Sequence, residues 1–386
     1  MTSRERVLRA LEHKEPDRVP IDFGSLHTSC HRNAYRSLIN YLGWQWKEPK
    51  IFDMFQYIVV PDEKLRERFG ADVRGSFPDL PDNWTLRIDP EENSYVDEWG
   101  IRYRMPPGGL YYDIVRSPLE KASLEEIKKY KFPDPYNPGR VKNLKERYKE
   151  LYQNTDYALI IYCPTGGIFE HSYFLRGIEK LYEEMASNLE VIDCLAAKVA
   201  EWQIEFWDNV LSAIGEYVQI VQVGDDLGHQ GGLLFSPEIY RKYYKPREKM
   251  IISSIRRKTR AKVYFHSCGA IYELIPDLVE IGIDILNPVQ ISAKGMDSKK
   301  LKNEFGEDIT FWGGGCDPQK ILPYGSPKEV KEEVKRRIDD FAPGEGFVFA
   351  SVHNIQVKIA PQNILTMFET ALEYGRYSSG FIKKQK

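Results

Sequence analysis

The sequence lacks a long apolar run and lacks an excess of positive charge. Its longest uninterrupted apolar stretch, 157–163, is about seven residues long, far short of a membrane span. Lysine and arginine total 54 against 57 aspartate and glutamate residues, and the resulting net charge of −3 argues against a nucleic-acid partner. The charged start, Met1 to Glu5, is unlike a signal peptide. We expect a cytoplasmic protein that binds neither membranes nor nucleic acid.

Cysteine is also scarce. The 386 residues include five cysteines, namely Cys30, Cys163, Cys194, Cys268 and Cys316. An odd number spread thinly over a long chain suits reduced thiols better than a disulfide framework.

No G-x-G-x-x-G motif follows a predicted strand, which disfavours a dinucleotide-binding fold. The lysine-rich end, 383–386, is interpreted as a solvated end.

Strands and helices alternate regularly after about residue 155. The strands are predicted at 158–163, 218–223, 262–265, 283–286, 309–312 and 347–350, and each is followed by a helical pattern. Earlier strands near 19–23 and 71–75 bring the number to the eight of a (β/α)₈ TIM barrel, which we predict for a single domain over 1–386. A doubly wound open sheet is the alternative fold.

The stretch 82–117 does not follow this alternation of strands and helices. It alternates polar with aromatic or branched residues and contains turn pairs such as Asp89-Pro90. We predict a β-meander inserted into the barrel domain, either as a lid or wall at one mouth or as a surface ornament. Its aromatic residues are Trp84, Tyr95, Trp99 and Tyr103. They either line the binding site of an aromatic molecule or pack within the small sheet.

The tripeptide His266-Ser267-Cys268 closes the apolar run 263–265. Residues two apart on a strand point the same way, so the imidazole and the thiol are expected to converge and form half of a zinc site. Cys316, presented after three glycines, is a candidate third ligand, and His353 a candidate fourth ligand or substrate contact. The alternative is that these cysteines are ordinary apolar packing.

Other polar residues follow the predicted strands, where TIM barrels carry their active sites. Asp225 and Asp226 are candidate acids, with helix capping or a loop ion pair as the alternative, and His229 is a third catalytic candidate or a hydrogen-bonding wall residue. The candidate substrate-binding residues are His27, Tyr162, Gln230 and Asn287. Glu170 and Thr165 are further residues that could line a pocket.

A set of segments along the whole chain resembles the uroporphyrinogen decarboxylase superfamily, which is built on a (β/α)₈ barrel. These segments are SRERVLRALEHKEPDRVP (3–20), GDDLG (224–228), FHSCG (265–269), GIDILN (282–287), GGGCDP (313–318) and SVHNIQVKIAP (351–361). True uroporphyrinogen decarboxylases carry an arginine-rich loop after the first strand, to hold the carboxylates of their substrate. Here the corresponding residues, 24–31, contain no arginine.

The other branch of the superfamily consists of corrinoid-dependent methyltransferases, whose zinc-binding H-x-C motif is matched by His266 and Cys268. Their remaining cysteine ligand lies at the end of the last strand, and this sequence has His353 near that place. A cysteine, Cys316, is present at the end of the preceding strand. The resemblance implies a zinc enzyme that moves a methyl group from a small donor, such as a methoxylated aromatic, to the Co(I) corrinoid of a partner protein. A homodimer is compatible with the sequence.

Two other functions remain open at this stage. One is decarboxylation of a tetrapyrrole or a related carboxylic acid without a metal, with Asp225 or another carboxylate at the mouth protonating an intermediate. The other is a non-catalytic protein that binds a corrinoid or tetrapyrrole. The missing arginines argue against the first, and the clustered histidine and cysteine residues argue against the second.

Overall fold

Parallel strands form the centre of the molecule in the computed structural model, which describes residues 1–377. The seven strands are β1 (Val73–Ser76), β2 (Ala158–Tyr162), β3 (Ile220–Gly224), β4 (Lys262–His266), β5 (Ile285–Asn287), β6 (Thr310–Trp312) and β7 (Phe347–Val348). Each strand pairs in parallel with the next, from β1 to β7. The lysine-rich end lies outside the described residues.

The barrel is closed by Ile21. This residue makes parallel bridges to Ala71 on one side and to Phe349 on the other, which joins the two edges of the sheet. Backbone hydrogen bonds flank it, from Asp72 N to Ile21 O (2.8 Å) and from Asp22 N to Phe349 O (2.9 Å). The fold is therefore a TIM-barrel-like α/β structure, as predicted, and not an open sheet.

The first strand, predicted at 19–23, is reduced to this single bridging residue. Pro20 has no N–H to give to a ladder. The N–H of Ile21 is bonded to the carboxylate of buried Asp72 at 2.9 Å rather than to a neighbouring strand. The same carboxylate accepts hydrogen bonds from the guanidinium groups of Arg6 and Arg18, so side chains hold this segment together with the backbone bonds on either side of it.

Helices cover the outside of the barrel and alternate with the strands. The α-helices of six residues or more are Ser3–Leu11, Arg32–Tyr41, Glu63–Arg68, Leu124–Lys129, Leu144–Asn154, Ile168–Arg176, Ile178–Ser187, Leu189–Ile214, Lys245–Lys258, Ile275–Ile281, Ser298–Phe305, Pro327–Phe341 and Pro361–Tyr374. The helical pattern that follows β2 consists of three helices, because the backbone turns at Gly177, which has φ +85°, and at Asn188. No helix among residues 1–377 is both long and apolar enough to cross a membrane.

The barrel interior follows the alternation of strand residues. On β4, Tyr264 faces the interior cluster whereas Val263 and Phe265 pack in the outer core beneath the helices. Val7 and Leu11 of the first helix belong to the interior cluster, so this helix covers the amino end of the barrel. Thr2 caps that helix, since its side chain accepts the Glu5 N–H. The carboxyl end remains as the mouth.

A four-stranded antiparallel sheet of consecutive strands lies between β1 and β2. Its strands are Ile88–Asp89, Ser94–Val96, Arg102–Arg104 and Asp113–Arg116. At its tip the Tyr111 hydroxyl is hydrogen-bonded to Gln356, in the loop after β7, and the Tyr112 N–H donates to Phe55 O at 3.0 Å. Tyr95, Trp99 and Tyr103 are buried and pack the sheet against the helices.

Candidate metal centre and its surroundings

His266 and Cys268 converge at the carboxyl end of β4. Nε2 of His266 lies 3.5 Å from Sγ of Cys268. Ser267 between them is turned aside, because its hydroxyl accepts the N–H of Leu227 at 3.1 Å and its own N–H donates to Asn287 O at 2.8 Å. The tripeptide therefore presents a nitrogen and a sulfur at one point of the mouth, which is the donor combination that zinc prefers.

The orientation of the His266 ring is fixed by Asn287. The Asn287 amide nitrogen donates to Trp312 O at 2.9 Å, so its oxygen is the atom that faces His266 Nδ1, at 2.6 Å. An amide oxygen can only accept, and Nδ1 must therefore carry the proton. The lone pair of the neutral ring is then on Nε2, on the side of Cys268. This outer support is typical of histidines that bind metals.

Asp226 completes a first set of three donor groups. Its Oδ1 lies 3.8 Å from His266 Nε2 and accepts the Cys268 N–H at 2.8 Å. The ligand atoms of Asp226, His266 and Cys268 all lie within 4.8 Å of one another. Burial, and then the negative charges of Asp226 and Glu170, raise the pKa of the Cys268 thiol well above its usual range. A bound cation would reverse this effect by stabilising the thiolate.

Two further histidines surround His266. The ligand atoms of His27, His266 and His353 also lie within 4.8 Å of one another. The rings of His27 and His266 are stacked, with centroids 3.7 Å apart, and the His353 centroid lies 5.4 Å from that of His266. Burial, and then the neighbouring imidazoles, lower the pKa of His27 well below its usual value and that of His353 to about 4. These rings are therefore neutral near pH 7.

The loop that carries His27 is held by Asp22. This buried carboxylate accepts hydrogen bonds from the hydroxyls of Ser25 (2.6 Å) and Thr28 (3.0 Å), and from the Trp312 indole N–H (3.0 Å). Burial raises the pKa of Asp22 to about 6 in spite of these three donors. His27 is predicted to bind substrate, and the structure places its ring against His266 at the mouth, where that role stays a prediction.

Cys316, predicted as a ligand, belongs to neither set. It is fully buried in the outer core, beneath the helix Pro327–Phe341. The preceding loop lies so close to the last strand that a Cβ at Gly315 would meet Ala350 O at 2.4 Å. This approach turns Cys316 away from the mouth. Burial raises the pKa of its thiol, as it does for Cys268, so it is the position of Cys316 in the outer core that separates it from the donor sets. The ligand set is corrected accordingly.

Asp225, predicted as catalytic, holds a helix in place. Its two carboxylate oxygens accept the N–H groups of Phe169 (2.6 Å) and Glu170 (2.8 Å), in the first turn of the helix Ile168–Arg176. Gly167 allows this approach, since a Cβ there would lie 2.1 Å from Gly224 O. The capping alternative therefore applies to Asp225, whereas Asp226 alone faces the site.

Of three other predicted residues, His229 and Gln230 lie outside the donor sets, whereas Asn287 contacts the ring of His266. His229 is exposed in the hairpin of Gly228–His229 with Gly232–Leu233, where its Nδ1 accepts the Gly231 N–H. Gln230 is exposed and joins loops, since its amide oxygen accepts from Gln290 and Gln319 at 2.7 and 3.0 Å. Asn287, predicted to bind substrate, is instead fully engaged by His266 and Trp312.

Tyr162 lies at the carboxyl end of β2 and faces the barrel interior, where its hydroxyl is buried without a hydrogen-bond partner. Its ring packs edge-on against Phe52 (5.5 Å) and Phe77 (5.7 Å), which also contact each other at 5.4 Å. Phe77 directly follows β1, and Phe52 and Phe77 are only partly buried. Together the three rings form an aromatic wall near the mouth.

Glu170 is a further functional candidate, because it is a buried carboxyl group close to Asp225 and Asp226. Burial, and then Asp226 and Asp225, raise its pKa well above the usual value. It also acts electrostatically on Cys268. A buried carboxyl group whose pKa is raised in this way is a candidate general acid. Its position at the start of the helix after β2 was the available signal, but its acidity depends on side chains from β3 and its loop.

Comparison with known proteins agrees with this architecture. The family model described as Uroporphyrinogen decarboxylase (URO-D) matches residues 97–374. The uroporphyrinogen decarboxylase of Geobacter sulfurreducens is 24% identical over 290 residues, which cover 71% of this chain and 75% of that protein. That of Alcanivorax borkumensis is 22% identical over 389 residues, which cover 96% and 97%. A methyltransferase from Methanosarcina mazei has a similar structure, with a TM-score of 0.64 at 18% identity and coverage of 97% of this chain and 99% of that chain.

The barrel and the donor groups at its mouth define a TIM-barrel protein of enzyme type, with a site at the carboxyl ends of the strands. The chain belongs to the uroporphyrinogen decarboxylase family, as the sequence motifs indicated. The structural similarity to the methyltransferase extends over the whole chain and concerns the fold.

Proposed function

We propose that this protein is a metal-dependent methyltransferase that moves a methyl group from a small donor to the Co(I) corrinoid of a partner protein. The observation that carries the proposal is the convergence of His266 Nε2, Cys268 Sγ and the Asp226 carboxylate at the barrel mouth. A reduced thiol at Cys268 fits a reducing compartment such as the cytoplasm.

The donor atoms fit a zinc ion. Zinc prefers nitrogen and sulfur ligands with a carboxylate as a further option, and catalytic sites keep one position open. His266, Cys268 and Asp226 would hold the ion, with His353 nearby as a further candidate donor. Bound zinc would supply Lewis acidity toward the oxygen of the methyl donor.

The residues around the site suit the departure of an aryl oxygen. In the proposed transfer the methyl–oxygen bond breaks, a carbon–cobalt bond forms, and the oxygen leaves with the electron pair of the broken bond. The two electrons of the new bond come from Co(I). Glu170, whose pKa burial raises well above its usual value, is our candidate to give a proton to the departing oxygen. Its placement beside Asp226 makes this step compatible with a cation at the same mouth.

An aromatic donor is favoured by the aromatic wall of Phe52, Phe77 and Tyr162. Aromatic rings prefer edge-on or offset contacts at about 4.5–7 Å, and each such pair contributes about 0.5–1.5 kcal/mol beyond the burial of area. The unpartnered Tyr162 hydroxyl offers a hydrogen bond to an oxygen substituent. We therefore propose a methoxylated aromatic compound as the donor.

Decarboxylation of a tetrapyrrole or related acid is the second candidate, because the family match and the curated relatives carry that activity in their names. A substrate with many carboxylates requires several cations, preferably arginines. The loop 24–31 contains neither lysine nor arginine, and it places His27 against His266 instead. These features favour methyl transfer.

Metal content and methyl transfer test the proposal together. The chain, purified without oxygen, is expected to hold about one zinc ion by elemental analysis, as a single catalytic site requires. Mixed with chemically reduced cobalamin and a methoxybenzoate, it is expected to convert the Co(I) spectrum to that of methylcobalamin. His266→Ala should lose both the zinc and the reaction, while His229→Ala, which removes an exposed imidazole, should keep both.

The outcomes separate the candidates. Zinc with methyl formation supports the methyltransferase. Carbon dioxide release from uroporphyrinogen by metal-free protein would favour decarboxylation. Wild-type protein that takes up no zinc, or zinc that remains after His266→Ala, would remove the basis of the proposal.

A further inference from the structure

Three glutamine side chains meet on the rim of the mouth. Gln230 lies in the hairpin after β3, Gln290 in the loop after β5 and Gln319 in the loop after β6. The amide oxygen of Gln230 accepts hydrogen bonds from the amide nitrogens of Gln290 (2.7 Å) and Gln319 (3.0 Å). The fold thus brings three uncharged amides from separate loops to one point, which we call the amide cluster.

The amide cluster borders the candidate metal centre. Gln290 Oε1 accepts the N–H of Gly269 at 2.8 Å, and Gly269 directly follows Cys268. The Ala270 N–H donates to His229 O at 2.9 Å, which joins the same turn to the hairpin that carries the first glutamine. A molecule that rests on the amide cluster therefore lies beside the thiol of the candidate metal centre.

The amide cluster keeps hydrogen-bonding capacity for a ligand. Gln230 and Gln319 are exposed, and Gln290 is partly exposed. Each amide nitrogen carries two N–H donors, and the contacts in the structure use one of them in each side chain, since Gln230 in turn donates to Ser292 O. Gln319 Oε1 has no hydrogen-bond partner among residues 1–377. One donor from each side chain and this acceptor are therefore available at the mouth.

The geometry of the proposed transfer places the corrin ring over this rim. In a displacement the leaving oxygen and the attacking cobalt lie on opposite sides of the methyl carbon, so cobalt comes from outside the mouth and the ring lies across the loops around it. The edge of a corrin ring carries primary carboxamide groups. Each has the two N–H donors and the acceptor oxygen of a glutamine side chain, so the two kinds of amide can exchange hydrogen bonds.

We propose that Gln230, Gln290 and Gln319 bind the carboxamide edge of the corrin ring that the partner protein brings to the mouth. The inference rests on the proposed function, because this corrinoid is the one that accepts the methyl group there. It does not depend on the identity of the methyl donor. Phe77 and Tyr162 of the aromatic wall lie at the ends of β1 and β2, whereas the amide cluster is built from the loops after β3, β5 and β6.

Cobinamide and heptamethyl cobyrinate are the probes that test the amide cluster. Both contain the corrin ring, but the second carries methyl esters in place of the carboxamides and therefore accepts hydrogen bonds without donating them. Zinc-loaded wild-type protein, studied by equilibrium dialysis without oxygen, is expected to bind cobinamide at least about tenfold more tightly than the ester. This is the effect expected of a few net hydrogen bonds.

Gln230→Leu and Gln319→Leu remove amides that are exposed, so neither substitution leaves a buried side chain unpaired. Each should weaken cobinamide binding about threefold or more and bring it closer to that of the ester. Gln153→Leu is the matched control, because Gln153 is an exposed glutamine on the helix Leu144–Asn154, which leads into the amino end of β2. It should keep the preference for cobinamide.

Methyl transfer to free cob(I)alamin gives a second measurement. A residue that only binds the corrin ring should affect the step before the reaction, so Gln319→Leu should raise KM for cob(I)alamin more than it lowers kcat. Circular dichroism and elemental analysis check that each variant is folded and holds zinc. Gln319→Ala replaces Gln319→Leu if the latter fails to fold.

Three results would overturn the role of the amide cluster. These are wild-type protein that binds neither corrin, equal affinity for cobinamide and the ester, and a preference for cobinamide that survives in both variants. Each of them leaves the proposed function intact if wild-type protein holds zinc and methylates cob(I)alamin. Absence of zinc from the wild type, in contrast, contradicts the proposed function itself, whatever the corrins show.

Discussion

At the scale of single residues, Asn287 decides which nitrogen of His266 is available. Its amide is committed on both sides, to His266 Nδ1 and to Trp312 O. We expect Asn287→Leu to leave two buried polar groups unpaired and to free the His266 ring. The expected loss is about 1–3 kcal/mol of unfolding free energy for each unpaired group, and about 10- to 100-fold in zinc affinity. Urea unfolding and competition with a chromophoric chelator measure the two effects.

Asn363 provides the matched control for this prediction. It is equally buried, and its amide nitrogen donates to Leu322 O and Gly325 O at 2.9 and 2.8 Å, on the helix Pro361–Tyr374. Asn363→Leu should destabilise the fold to a similar extent without changing zinc affinity. Equal losses of zinc affinity in the two variants would show that Asn287 acts only through stability.

Residue spacing alone predicted part of the site. The alternation of a strand brings His266 and Cys268 to one place, and this depends only on neighbours in sequence. Cys316 could not be placed in that way, because a loop of three glycines has no fixed direction and here turns outward against Ala350. The stacking of His27 on His266 also escaped the sequence, since it depends on how Asp22 folds its loop.

At the scale of elements, the helix Ile168–Arg176 is anchored by Asp225 through two backbone N–H groups. In Asp225→Asn one acceptor oxygen becomes an N–H donor that faces another N–H. We expect a loss of roughly 1–3 kcal/mol of unfolding free energy in urea. Because the helix also carries Glu170, methyl transfer should fall as well, while zinc affinity should remain near the wild-type value.

Asp297→Asn is the control for that substitution. Asp297 caps the helix Ser298–Phe305 with one hydrogen bond, to the Lys300 N–H at 2.9 Å, and asparagine caps helices equally well. Its unfolding free energy should stay within about 0.5 kcal/mol of the wild type. If Asp225→Asn is equally neutral, the carboxylate is not the anchor that its geometry indicates.

The regular elements after residue 155 could be predicted because each strand is a short apolar run followed by a helical pattern. The first strand could not be predicted in its true form. Apolar residues at 19–23 suggest a strand, but Pro20 and the Asp72 carboxylate, which lies distant in sequence, restrict pairing to Ile21. Long-range side-chain bonds of this kind are invisible to local patterns.

At the scale of the whole molecule, the buried titratable groups change the stability of the folded state in opposite directions as the pH changes. Burial lowers the pKa of His171 to about 3 and that of His353 to about 4. A histidine with a lowered pKa stabilises the folded state fully above its unfolded pKa, about 6.5, and loses that contribution as the pH falls. Burial also raises the pKa of Asp22 to about 6 and of Glu248 to about 7. Their contributions have the opposite sign and are lost as the pH rises.

His171 isolates one of these contributions, because its ring is buried against Trp99 at 4.1 Å and lies outside the metal-ligand sets. The unfolded chain takes up a proton at this residue below about pH 6.5, whereas the folded chain does not until about pH 3. In metal-free protein, lowering the pH from 7 to 5 should therefore cost the wild type about 2 kcal/mol more unfolding free energy than His171→Leu. Urea unfolding at both pH values measures the difference, and His229→Leu, which removes an exposed ring, should follow the wild type. Equal pH dependence in wild type and His171→Leu would mean that this ring accepts a proton in the folded barrel.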